Sequence, residues 1–164
     1  MGGMREDAER PWTPGQRAAI IADLRRRFPD RHIYPIQRGN LDNEWENIAD
    51  SARAHDARCQ DPRQSWVPPN LAALVAAVRR TQVSRFYPFT AHEYLCFADG
   101  PGVWHQEGEL APACVGRTRP EGYLVYQGQP YGHRTLTLTT HVPDEAAAEV
   151  ERLLAGWAWN GRVS

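Results

Sequence analysis

Long apolar runs are missing from this chain of 164 residues. None approaches the roughly twenty residues that a membrane-spanning helix needs. The N-terminus, MGGMREDAER, also lacks the apolar stretch of a secretory signal. No membrane partner is expected, and the expected location is the cytoplasm. Gly2 after Met1 hints at myristoylation, but Glu6 stands where that motif needs Ser or Thr. Cysteine is scarce. Cys59, Cys96 and Cys114 are widely spaced and form no C-x-x-C pair, which argues against a disulfide scaffold or a structural zinc site and for reduced thiols. Neither charge is in excess: 19 basic residues meet 20 acidic ones, so no nucleic-acid partner is expected. The densest basic run, Arg25 to Arg27, reads as the end of a helix, where cations complement the dipole.

What is present is the balance of a globular domain. With 41% hydrophobic and 24% charged residues, a chain of this length buries roughly two-thirds of its unfolded surface in one core. Residues 1–11 read as a flexible polar lead and residues 12–164 as a single domain. Thr13, Pro14 and Gln16 form a helix start with a capping box, and Ile20, Ile21, Leu24 and Phe28 follow at helical spacing up to Pro29. RHIYPIQRG suits an edge strand or connector that carries His32 and Tyr34. Leu41, Trp45, Ile48 and Ala52 mark a second amphipathic helix with an acidic first turn. After a proline-rich loop that includes Trp66, Asn70 is placed to cap a third helix with Leu71, Leu74, Val75 and Val78 on its apolar face.

From Phe86 the period becomes two. HEYLCFA, VWHQE, YLVYQ and RTLTLTTH alternate between Gly- and Pro-rich turns, and Pro143, Asp144 and Glu145 open a last helix that presents Ala147, Val150, Leu153 and Leu154. The expected fold is α+β: an antiparallel meander of about four strands packed against N-terminal helices and a C-terminal helix.

The segment RFYPFTAHEYLCF concentrates the chain's chemistry. RFYPFT reads as a proline-fixed aromatic entry under the helices. Beyond it, strand alternation sets Leu95 and Phe97 toward the core and His92, Tyr94 and Cys96 on the opposite face. Trp104 and His105 would extend that face if they lie across the hairpin. His92 or His105 with Tyr94 suits general acid/base work, in a pocket where Tyr87, Cys96, Trp104 and Tyr126 contact a substrate. Cys96 as a thiolate nucleophile is weighed against a small buried hydrophobe, and the latter is favoured because no nucleophile signature surrounds it. A metal site lacks a close ligand pair, and no cofactor is expected. His133 and Tyr131 read as parts of a turn. Trp157 and Trp159 either seal the core or form a patch for a partner.

The block NLAALVAAVRRTQVSRFYPFTAHEYLCFADG, with EGYLVYQG and DEAAAEVERLLAGW, resembles a family of small actinobacterial proteins of unknown function, often labelled natural-product biosynthesis proteins. The resemblance centres on YPFTAHEYLCF, where Ala91 replaces the family's usual serine and His92 matches. It implies a metabolic setting without a reaction. The expectation is therefore a protein that binds or transforms a small molecule in a helix–sheet pocket. The alternative is a non-catalytic interaction module that uses the tryptophan tail or the acidic face of Asp42, Glu44 and Glu46.

Overall fold

The computed structural model describes residues 12–30, 40–61, 63, 68–91, 94–100, 110–118, 120–130 and 132–155. Helix α1, Pro14–Arg27, begins as its capping box dictates: Thr13 Oγ1 accepts the Gln16 N–H at 3.1 Å and Gln16 Oε1 accepts the Thr13 N–H at 2.9 Å. Its apolar stripe is not buried, and Phe28 beyond it is 40% exposed. Polar contacts to the next helix fasten α1 instead. Arg17 pairs with Asp50 at 2.8 Å and donates to Asn47 at 2.7 Å.

Helix α2, Leu41–Arg58, buries Trp45, Ile48 and Ala52 as its spacing predicts. The Trp45 indole N–H reaches the carbonyls of Ser84 and Phe86, both at 3.0 Å, and its ring stacks on Phe97 with centroids 6.5 Å apart. One side chain thus fixes α2 against the sheet and against the chain that enters it. Helix α3, Leu71–Arg79, is capped differently from the sequence expectation, since Asn70 makes no side-chain cap bond. The Asp56 carboxylate of α2 accepts the N–H groups of Leu71 and Ala72 at 3.1 and 2.9 Å. A carboxylate answers both the donors and the positive end of the helix dipole, which a neutral amide does less well. Asn70 is engaged elsewhere: its side-chain amide N–H donates to the Gly122 carbonyl at 3.1 Å, and its backbone carbonyl accepts from the Tyr123 hydroxyl at 2.8 Å.

Five strands form one antiparallel meander in the order β1, Tyr87–Ala91; β2, Tyr94–Ala98; β3, Leu110–Thr118; β4, Gly122–Gly128; and β5, Arg134–Thr140. Helix α4, Pro143–Leu154, packs back on β3, β4, β5 and α3. The result is the expected α+β single domain, with five strands among the described residues rather than four. Leu95, Phe97, Ala111, Ala113, Val115, Tyr123 and Val125 meet the buried residues of α2, α3 and α4 in one core. The sheet face away from these helices carries a smaller cluster of Ala91, Cys96 and Cys114.

Two of the five strands depart from the sequence reading. The aromatic entry is itself strand β1, at the edge of the sheet, where Pro88 is tolerated as it would not be in a central strand. Strand β3 was not anticipated because Pro112 and Gly116 interrupt its alternation, and the ladder is irregular there: Cys96 pairs with Cys114 and Ala98 with Leu110. The segments 31–39, 64–67 and 103–107, which include His32, Tyr34, Trp66, Trp104, His105 and the strand expectation VWHQE, lie outside the described residues, as do Tyr131, Trp157 and Trp159. In β5 a bulge also breaks the simple alternation. Leu138 pairs with Val125 and packs on the core, whereas Leu136 pairs with Tyr126 on the far face and is 49% exposed.

Candidate functional site

Of the residues singled out from the sequence, Tyr94, Cys96 and Tyr126 come together on the far face. Register explains this: Ala91 pairs with Tyr94, Cys96 with Cys114, and Cys114 with Tyr126. The Tyr94 and Tyr126 rings meet edge to face at 6.1 Å, and the Arg134 guanidinium lies 4.8 Å from one ring centroid and 4.9 Å from the other. Gly116 makes room for this arrangement, because a Cβ there would stand 3.1 Å from the Tyr94 ring. Tyr87 is not part of the group. Its partner is Ala98, at the opposite end of β1 from Ala91, roughly 13 Å away along the strand. His92, Trp104 and His105 lie outside the described residues.

Beneath the two rings, Cys96 and Cys114 are buried directly opposite one another. Burial pushes the Cys96 thiol up to about 12, with the neighbouring Cys114 adding to the effect, and pushes Cys114 up to about 11. Thiolate is therefore scarce near neutral pH, and Cys96 acts as a packing residue. The far face supplies an aromatic and guanidinium stack over buried sulfur.

A histidine with a lowered pKa, His55, lies on the other side of the sheet. A cavity of about 180 Å³ is lined by Ile48, Ser51, His55 and Arg58 of α2, Leu71 of α3, Thr90 of β1, Tyr94 of β2 and Arg117 of β3. Ser51, His55 and Arg58 follow the i, i+4, i+7 spacing that sets them on one helix face. Arg117 sits next to Val115 on the helix-facing side of β3, opposite Tyr123. Its Nη1 lies 3.0 Å from His55 Nε2 and donates to the Pro68 carbonyl at 2.9 Å. A guanidinium only donates, so Nε2 is the acceptor and the imidazole is held neutral.

Electrostatics act in the same direction. Burial lowers the His55 pKa most, Arg117 lowers it further, and Arg58 adds to this; Asp56 and the Pro68 carbonyl oppose the shift without reversing it. Cys59 Sγ stands 3.6 Å from the same Nε2, one helical turn on. His55 and Arg117 are thus the functional candidates that the sequence reading missed. The legible signal was the polar stripe of Ser51, His55 and Arg58 beside the apolar stripe of α2. The contribution of Arg117 depends on β3, a strand that the sequence hid.

A larger depression of about 480 Å³ lies between α1 and α2, lined in part by Trp12, Ile21, Arg25 and Glu46. It follows from the partial docking of α1, and its Arg17 is already paired with Asp50. Among the described residues, no group of three or more His, Cys, Asp or Glu side chains gathers to hold a metal ion. No helix among them is long and apolar enough to cross a membrane. Compared with family models, curated proteins and solved structures, the chain matches none.

Proposed function

We propose that the protein binds a small molecule in the cavity between α2 and the β1–β2 end of the sheet, and that His55 handles a proton there. The observation that carries this reading is the His55–Arg117 contact at 3.0 Å within a cavity bordered by the hydroxyl-bearing residues Ser51 and Thr90. The imidazole is held neutral, and Nε2 becomes free to take a proton when the Arg117 donor is drawn away from it. At about 180 Å³ the cavity is smaller than the roughly 300–1,000 Å³ of drug-sized sites, so the ligand is compact. In the sequence, His92 falls between Thr90 and Tyr94, both of which line the cavity, and we retain it as the second candidate for proton transfer. The setting we propose, cytoplasmic and within specialised-metabolite biosynthesis, rests on the resemblance around YPFTAHEYLCF.

The interaction-module reading has less support. Phe28, Leu136 and Val142 are exposed, but they are single residues on separate elements, as on any soluble surface. Of the acidic face, Glu46 is paired with Arg79 at 2.7 Å. The test of the cavity is protein-observed NMR with a panel of compact molecules of about ten heavy atoms or fewer. Binders should shift the His55 imidazole resonances in the wild type. Binders that perturb only the Tyr94, Tyr126 and Arg134 face would refute the assignment.

A further inference from the structure

The charge of the described residues that line the cavity is one-sided. Among the described residues, Arg58 and Arg117 are its charged lining groups, Ser51 and Thr90 carry hydroxyls, and neither Asp nor Glu lines it. The adjacent acid on α2, Asp56, is engaged with the N–H groups of Leu71 and Ala72. The chain contains no lysine, so every one of its 19 cationic side chains is a guanidinium. Guanidinium groups present planar, forked donors that match the oxygens of carboxylates and phosphates. The volume, about 180 Å³, corresponds to roughly six waters' share of liquid, enough for a short acid and too little for a nucleotide.

We infer that the cavity is an oxyanion site that takes a compact molecule through a terminal carboxylate or phosphate group, held by Arg117 and Arg58 with Ser51 and Thr90 beside them. The inference rests on reading this cavity as the binding site and adds the chemistry of the ligand. The same geometry links binding to His55. Arg117 engages Nε2 at 3.0 Å, and an oxyanion beside the guanidinium competes for its donors and offsets its positive field. The charged neighbours that set the protonation of His55 are Arg117 on β3 and Asp56 and Arg58 on α2, and the Cys59 thiol just after α2 faces the same Nε2. An added anion therefore favours the imidazolium, so binding takes up a proton and strengthens as pH falls.

The experiment follows the His55 imidazole by NMR, with its resonances assigned through His55→Gln, while the full chain is titrated at constant ionic strength. Acetate and inorganic phosphate are the oxyanion probes, and acetamide is the neutral counterpart of acetate. Both anions, or the one whose class the site takes, should shift His55 while acetamide does not. Arg58→Gln, at an exposed position, should weaken anion binding by at least about threefold, and Arg117→Lys by about tenfold or more. Sulfate, whose charge is constant over the range, should bind more tightly at about pH 6 than at about pH 8 in the wild type and lose that dependence in His55→Gln. If acetamide shifts His55 as strongly as acetate and Arg58→Gln changes nothing, the oxyanion assignment is wrong while the cavity reading stands. If no probe moves His55, both are wrong.

Discussion

Arg117 Nη1 lies 3.0 Å from His55 Nε2, joining the helix-facing side of the central strand β3 to the last turns of α2. A cation that donates to an imidazole fixes both its tautomer and its charge. Burial of the ring, reinforced by Arg117, makes the protonated form unfavourable in the folded state. The unfolded chain carries no such penalty.

Folding stability should therefore depend on pH through His55. Its folded pKa lies below the ordinary 6.5, so between those two values the unfolded state binds more protons. Stability rises with pH where the unfolded state is the more protonated, so it is fully present above about 6.5 and is lost on acidification through the depressed folded value. Urea midpoints measured from neutral pH downward should fall across this window, and His55→Gln, which stays neutral, should flatten that limb. An unchanged limb in the variant would show that other groups are responsible.

Asp56 is a second determinant of the same region. It caps α3 from another helix and also favours the His55 cation. Asp56→Ala should cost about 1–2 kcal/mol, the scale of an N-cap loss, and should depress the His55 pKa further. Asp56→Asn should retain part of the stability but little of the electrostatic effect. Chemical denaturation together with an NMR titration of His55 reads both quantities. A raised His55 pKa in either variant would contradict the charge balance described here.

How much of this was visible beforehand depended on period. Strong one-sided spacing made α2, α3 and α4 legible, as did the split of Leu95 and Phe97 from Tyr94 and Cys96. Strand β3 stayed hidden because Pro112 and Gly116 break its alternation, and Gly116 is there for a tertiary reason: the Tyr94 ring lies against it. The single dominant pattern of RFYPFTAHEYLCF drew attention to the far face, whereas the His55–Arg117 pair joins residues 62 positions apart in sequence. Spacing within one element cannot reveal such a pair. Only the half of it on α2 left a local trace, in Ser51, His55 and Arg58.

Cys96 and Cys114 should be silent toward thiol reagents in the native protein. Both are buried, and burial holds their thiols at about 12 and about 11, so the reactive thiolate is rare at pH 8 and access is closed as well. Iodoacetamide labelling mapped by mass spectrometry should modify neither residue until denaturant unfolds the sheet. Rapid native labelling of Cys96 would restore it as a candidate nucleophile and would refute its assignment to packing.

Gly128 closes β4 with φ +123, a backbone conformation that side chains with a Cβ rarely adopt. A Cβ at this position would also come 2.4 Å from the His133 carbonyl oxygen, which is backbone and has no rotamer by which to move away. Strain of this kind costs about 1–3 kcal/mol before the steric contact is added. Gly128→Ala should therefore destabilise the protein by at least about 2 kcal/mol and displace Arg134, whose backbone lies 2.8 Å from the same virtual atom. Because Arg134 covers the Tyr94 and Tyr126 rings, the ring resonances of both should shift in the variant while those of His55, across the sheet, stay in place. A stable variant with unmoved tyrosines would show that the 129–133 connection absorbs the change, and that the far-face stack does not depend on how β4 ends.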